Sequence, residues 1–395
     1  MNYDKHVSDV VKNIKPSGIR KFFDVAAMYK DVISLGVGEP DFVTPWEARE
    51  AAVQSIRKGI TQYTSNSGLL QLREAVAKYV DLHFGVKYDP KDEVIMTVGA
   101  SEAIYLAVRT LANAGDEVII PEPSYVSYAP GVALCDAVPV SAPCRAEDNF
   151  ILTAEALEAA ITPRTKAVIL PFPNNPTGAI MTRPQLEAIA EVIKKHDLIA
   201  ISDEIYAELT YGDERHVSVA SLDGMRERTV LINGFSKAFA MTGWRLGYYC
   251  APRELSKQML KIHQYIIMCA PTAAQYAALN ALNTAFEDNF AAVEEMRSQY
   301  DIRRRFLVRR LNEMKLTCFE PKGAFYVFPC VSVTGMDGEQ FAEELLADQK
   351  VAVVPGGAFG ESGKNFIRIS YAYSLENLKK AMDRIENFLK KRGVL

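Results

Sequence analysis

The stretch TRPQLEAIAEVIKKHDLIAISDEIY, from Thr182 to Tyr206, joins two elements of different periodicity. Its first part repeats Leu186, Ile189 and Ile193 along one helical face, with Thr182 placed to cap and Pro184 suited to the first turn. Its second part, Leu198 to Asp203, is a short and almost uninterrupted apolar run, as expected of a strand covered on both sides. A helix feeding a doubly covered strand is half of a βαβ unit.

Similar apolar runs recur on either side of this stretch, at Val94 to Val98, Glu117 to Pro121, Lys166 to Pro171, Thr229 to Asn233 and Leu246 to Cys250. This alternation predicts an α/β fold with a mostly parallel central sheet between helices. After about Pro271 the pattern changes to long charged helices. Strands follow at Gly323-Ala-Phe-Tyr-Val-Phe, Val351 to Val354 and Phe366 to Ser370, and a helix ends the chain. That is the pattern of a smaller α+β domain. The expected division is a large domain at 46–280, with 1–45 and 281–395 forming the small one, and 395 residues suit two domains.

Hydrophobic residues at 49% and charged residues at 24% describe a chain that folds throughout. A net charge of -4 gives no electrostatic reason to bind nucleic acid or an anionic membrane, so small molecules are the expected partners. No apolar run approaches the roughly 20 residues that span a bilayer, and the polar first residues lack a secretory core. These features point to a cytoplasmic protein. Six scattered cysteines and five isolated histidines form neither a paired thiol motif nor a metal-ligand spacing, so no metal is expected.

Four segments carry chemistry. The first, Asn233-Gly-Phe-Ser-Lys-Ala-Phe-Ala-Met-Thr-Gly-Trp-Arg-Leu-Gly, follows a strand and sets Lys237 in a loop with Ser236 beside it and Arg245 eight residues on. A lone lysine is ordinarily a surface residue. Partial burial beside other cations instead lowers its pKa, as a lysine that attacks an aldehyde requires. In the second, Leu198-Ile-Ala-Ile-Ser-Asp-Glu-Ile-Tyr, Asp203 ends a buried strand, where open α/β sheets bind ligands, and Tyr206 follows. Taken alone, Asp203 is equally well a helix cap. The third, Pro173-Asn-Asn-Pro-Thr-Gly, is turn chemistry containing Asn175. The fourth, Val98-Gly-Ala-Ser-Glu-Ala-Ile, runs from strand into helix and offers the amides of Gly99, Ala100 and Ser101 to an anion.

Together the four segments resemble the class I aminotransferases, pyridoxal-phosphate enzymes of fold type I, over nearly the whole chain. The resemblance implies that Lys237 holds the cofactor covalently, that Asp203 pairs with its ring nitrogen, and that Asn175 and Tyr206 hold its phenolic oxygen. Gly99, Ala100, Ser101, Ser236 and Arg245 would take the phosphate, and Tyr125 would stack on the ring. Tyr63 matches a tyrosine that reaches the neighbouring subunit's phosphate, which implies a homodimer with shared sites. Arg368, in Phe366-Ile-Arg-Ile-Ser, matches the arginine that grips the substrate α-carboxylate with two parallel hydrogen bonds. Gly38 lets the backbone approach that same carboxylate.

The implied activity is transfer of an amino group from an L-amino acid to a 2-oxo acid such as 2-oxoglutarate, by a ping-pong mechanism. A β-lyase of the same fold uses the same cofactor residues, but the full-length likeness favours transamination. A cofactor-binding transcriptional regulator would need a DNA-binding extension that this sequence lacks. The likeness is to bacterial and archaeal enzymes named for aspartate and for aromatic amino acids. Some aspartate-specific relatives carry a lysine where Ser101 stands. Arg20, in a segment that resembles a lid, is a candidate either for binding a second substrate carboxylate or for packing its stem.

Overall fold

The computed structural model describes residues 1, 3–16 and 31–395. A first short strand, β1 (Ile33–Ser34), precedes the large sheet. That sheet is made of β2 (Val94–Thr97), β3 (Glu117–Glu122), β4 (Val138–Pro143), β5 (Thr165–Leu170), β6 (Ile199–Asp203), β7 (Thr229–Gly234) and β8 (Gly247–Cys250). Its order is β2-β8-β7-β6-β5-β3-β4, parallel except for β8, which runs antiparallel to both neighbours. The mostly parallel sheet expected from the sequence is present.

The exception has a local cause. Parallel neighbours need a crossover, usually a helix, whereas β7 and β8 are joined by the short segment from Phe235 to Leu246. The chain turns straight back, so this loop with Lys237 stays at the carboxyl edge of the sheet. Because β2, β3, β5, β6 and β7 all run the same way, their carboxyl ends bring Gly99, Tyr125, Asn175, Asp203 and Lys237 to one edge.

The six strands expected in this sheet are all present, and the helix expected after Thr182 spans Arg183–Lys195 with Thr182 and Gln185 forming a capping box. The seventh strand, β4, is absent from the sequence reading. It lies at the sheet edge with most of its residues open to solvent, so it lacks the apolar run that marks its neighbours.

The remaining strands are β9 (Tyr326–Val327), β10 (Val351–Ala352), β11 (Val354–Pro355) and β12 (Ile367–Ser370). β12 lies between β11 and β9, antiparallel to both, and β1 pairs with β10. Helices Ala291–Glu313, Gly338–Gln349 and Leu375–Lys391 cover these strands. One apolar core joins them through Leu307, Phe341, Ile369 and Leu389, and it also takes in Leu35, Tyr206 and Tyr326. This core therefore reaches the carboxyl edge of the large sheet. Among the described residues no helix is long and apolar enough to cross a membrane.

Candidate active site

Lys237 lies three residues past β7, and its Nζ donates to the carbonyl oxygen of Gly38 at 2.6 Å. The amine sits 5.6 Å from the ring centroids of both Tyr206 and Phe325. Burial is the main force that pushes its pKa down, to about 8, with the Arg368 and Arg245 cations adding to the shift against Glu39 and Asp203. A lysine so placed is uncharged in a useful fraction of molecules near neutral pH.

Asp203 ends β6 and is buried. Its Oδ2 accepts the Tyr128 hydroxyl at 2.7 Å, and Oδ1 accepts the Ile205 amide at 3.3 Å. Burial outweighs these donors and raises the carboxyl to about 6. Tyr128 went unnoticed in the sequence because its signal is a single tyrosine within an apolar helix. The Tyr125 ring packs edge-on against it, with centroids 5.6 Å apart.

Asn175 is set by the turn after β5. Asn174 Oδ1 accepts from the Thr177 amide and hydroxyl, and Gly178 adopts a φ of 72°. A side chain at Gly178 would run into Pro321 and the Gly323 carbonyl, so this turn fits closely against the smaller half of the chain. Asn175 Oδ1 accepts from Arg368 Nη1 at 2.8 Å.

Arg368, on β12, is buried. Its Nη2 donates to the Gly36 carbonyl, while its Nε has no partner among the described residues. The guanidinium carbon lies 4.4 Å from the Tyr326 ring centroid and 4.9 Å from that of Phe359. An arginine clamped between two rings and left with an unmet donor suits a carboxylate ligand.

The helix Gly99–Leu111 starts beside Arg245. A Cβ on Gly99 would stand 2.8 Å from Arg245 Nη2, and one on Gly247 would stand 2.7 Å from the Ala100 nitrogen. Two residues without side chains thus bring a guanidinium and a helix N-terminus together. Arg245 itself holds a φ of 52°, an uncommon conformation for a residue with a side chain. Ser236 is buried nearby in sequence to Lys237, whereas Ser101 is exposed on the first turn of the helix.

These residues fit the group that the sequence resemblance implies: a cup for a phosphate, a buried carboxylate with no ion pair among the described residues, and a lysine of lowered pKa. Gly38 has no room for a side chain. The space of its missing side chain is taken by the Tyr326 hydroxyl, 2.5 Å from where a Cβ would stand. Tyr63 is 78% exposed and touches none of the groups above. Arg20 lies outside the described residues.

Residues 30–385 match the family model described as aminotransferase class I and II. The chain is 47% identical to the aspartate aminotransferase of Pyrococcus abyssi, covering 98% of this chain and 99% of that one. It is 46% identical to aromatic-amino-acid aminotransferase 2 of Thermococcus litoralis, over 98% of this chain and all of the relative. Among solved structures, the aromatic aminotransferase of Pyrococcus horikoshii superposes with a TM-score of 0.90 at 47% identity, covering 95% of this chain and 100% of that chain.

Proposed function

This chain belongs to the class I and II aminotransferases and is a transaminase, and from that premise we propose that it uses pyridoxal phosphate on Lys237, with aspartate, aromatic amino acids or both as donors and 2-oxoglutarate as acceptor. The donor proposal rests on relatives named for both substrate classes. Nothing in them favours a β-lyase. The observation that carries the cofactor proposal is the part-buried Lys237 amine, held by the Gly38 carbonyl and close to Asp203, Arg368 and the Arg245-lined helix start.

When bound, pyridoxal phosphate supplies an electron sink for the Cα–H bond of the amino acid. The rest of the work is proposed for the protein. The amides at Gly99, Ala100 and Ser101, with Ser236 and Arg245, hold the phosphate. Asp203 keeps a proton on the ring nitrogen and is itself steadied by Tyr128. Asn175 and Tyr206 hold the phenolic oxygen, and Tyr125 stacks on the ring. Arg368 fixes the substrate α-carboxylate, which orients the Cα–H bond, and the Lys237 amine takes that proton as general base.

We place the boundary of the large domain at 46–280, with 1–45 and 281–395 in the small one. We also propose a cytoplasmic homodimer with shared sites. Tyr63, Tyr265, Ile266, Ile267 and Met268 are all exposed, and the Thr272 hydroxyl binds the Gln62 carbonyl, so the two stretches lie together. A second copy covering this apolar face would bring Tyr63 towards the neighbouring phosphate cup.

The test is a panel of amino donors with 2-oxoglutarate. Stoichiometric 2-oxo acid without ammonia is the expected result, and ammonia release would overturn it. Borohydride reduction followed by peptide mass analysis should place the cofactor on Lys237. A modification elsewhere would defeat the lysine assignment.

A further inference from the structure

Tyr326 is almost fully buried between the residues proposed for the cofactor and those proposed for the substrate, and no role above uses it. Its hydroxyl lies 2.9 Å from the Tyr206 hydroxyl. The same hydroxyl fills the space left by Gly38, whose carbonyl receives the Lys237 amine. Its ring forms one of the two walls that hold the Arg368 guanidinium, at 4.4 Å. This arrangement follows from the register of the small sheet. Ser370 on β12 pairs with Tyr326 on β9, and Arg368, two residues from Ser370, emerges on the same face as a diagonal neighbour.

We propose that Tyr326 is a positioning residue that aligns the two halves of the site, its hydroxyl directing the Tyr206 proton and its ring fixing the Arg368 plane. A tyrosine hydroxyl has a single proton to donate. If Tyr206 gives its proton to the cofactor's phenolic oxygen, it must accept from Tyr326, and such a chain of donors strengthens the outer bond. The ring acts separately. It restricts the guanidinium to one plane, so two parallel bonds reach a carboxylate in a fixed orientation. The inference rests on the cofactor and substrate roles proposed above.

The experiment separates hydroxyl from ring in the cofactor-loaded protein. Tyr326→Phe keeps the wall under Arg368 and removes the hydroxyl. The pH midpoint of the bound cofactor's visible absorbance should rise, and kcat should fall by roughly fivefold to tenfold, as one neutral hydrogen bond warrants. The KM of the donor should stay within about threefold, because Arg368 keeps its wall. Tyr326→Leu removes both, and the dissociation constant of 3-phenylpropanoate, a simple carboxylate probe, should rise by roughly tenfold or more while Tyr326→Phe leaves it nearly unchanged. In a Tyr206→Phe background, Tyr326→Phe should move the absorbance midpoint no further.

An unmoved midpoint in the single Phe variant, or a full second shift in the Tyr206→Phe background, would overturn the hydroxyl's part. Equal probe affinity in the Phe and Leu variants would overturn the ring's part. A wild-type chain that develops no visible absorbance with pyridoxal phosphate would instead defeat the cofactor proposal on which both parts stand.

Discussion

From the last residue of β6 to Glu208, two buried carboxylates and one partly buried one are treated in two ways. Asp203 meets a hydroxyl and a backbone amide and forms no ion pair among the described residues, and burial raises it to about 6 against those bonds and the more distant Lys237. Glu204 accepts from the Ser202 and Ser218 hydroxyls at 2.8 Å each and pairs with His216 at 2.8 Å. Glu208 pairs with His83 at 2.9 Å and accepts the Tyr79 hydroxyl. Although burial pushes the Glu208 carboxyl upward, the His83 and Tyr79 bonds together hold it below the usual range. The fold satisfies the two glutamates with its own donors and leaves the aspartate in want of a positive charge. Groups left unmet in this way are where stability is given up for function.

The largest break in this comparison comes from Lys237, whose amine shares the site with Asp203. Lys237→Ala should lower transamination by at least roughly 10⁴-fold, since it removes both the attachment point and the general base. Circular dichroism should show an unchanged fold, and near-normal turnover would end the assignment. Next, Asp203→Asn should reduce kcat by roughly 10²–10³-fold, the scale of losing one preorganised electrostatic partner, with a smaller change in KM. If kcat survives in steady-state assays, Asp203 serves only to cap the turn through Ile205.

Glu208→Gln should do the reverse. It leaves His83 and Tyr79 without their carboxylate and should cost about 1.5–3 kcal/mol of stability in denaturant unfolding, while activity per folded molecule stays within a few fold. Loss of activity without loss of stability would erase the distinction between the two kinds of carboxylate. Arg368→Lys belongs with the cleft. It should lower kcat/KM for every donor alike by about one to two powers of ten, because a lysine cannot make both carboxylate bonds.

The legible and illegible parts of the molecule divide along the same physical lines. The central strands could be read because they are buried on both faces and so carry unbroken apolar runs; β4, exposed at the edge, carries none. The candidate residues stand in short segments, Lys237 and Arg245 in one and Asp203 and Tyr206 in another, and their roles come from the resemblance those segments carry. Those missed are supports reached only through tertiary contact. Tyr128 approaches Asp203 across 75 positions, and Tyr326 approaches Tyr206 across 120. Single-sequence periodicity holds no record of such pairs. The close neighbour of Gly38 was hidden for the same reason, since the side chain occupying the space of its missing Cβ comes from β9.

The smallest predicted effect tests the comparison in the cofactor-free protein, and its sign is opposite to the loss in kcat. The Asp203 carboxyl is raised in the folded state from 3.8 to about 6, so the folded chain binds more protons than the unfolded chain between these values. Stability from this group is therefore fully present below the unfolded value and is lost as pH rises through about 6. At pH 7 the ionised, buried carboxylate weighs against folding, and Asp203→Asn should stabilise the cofactor-free protein by about 2 kcal/mol. The gain should fade towards pH 4. Glu208 runs the other way: its lowered carboxyl stabilises the fold above the usual carboxylate range and loses that contribution as pH falls through its folded value. Once the cofactor is bound, the cationic ring nitrogen gives Asp203 the partner that the protein withholds, and the asparagine variant should become the less stable of the two. Denaturant unfolding at pH 7, with and without pyridoxal phosphate, reads both signs. An asparagine variant less stable than wild type in both conditions would mean that Asp203 is satisfied by Tyr128 and Ile205 alone, and the contrast with Glu208 would be lost.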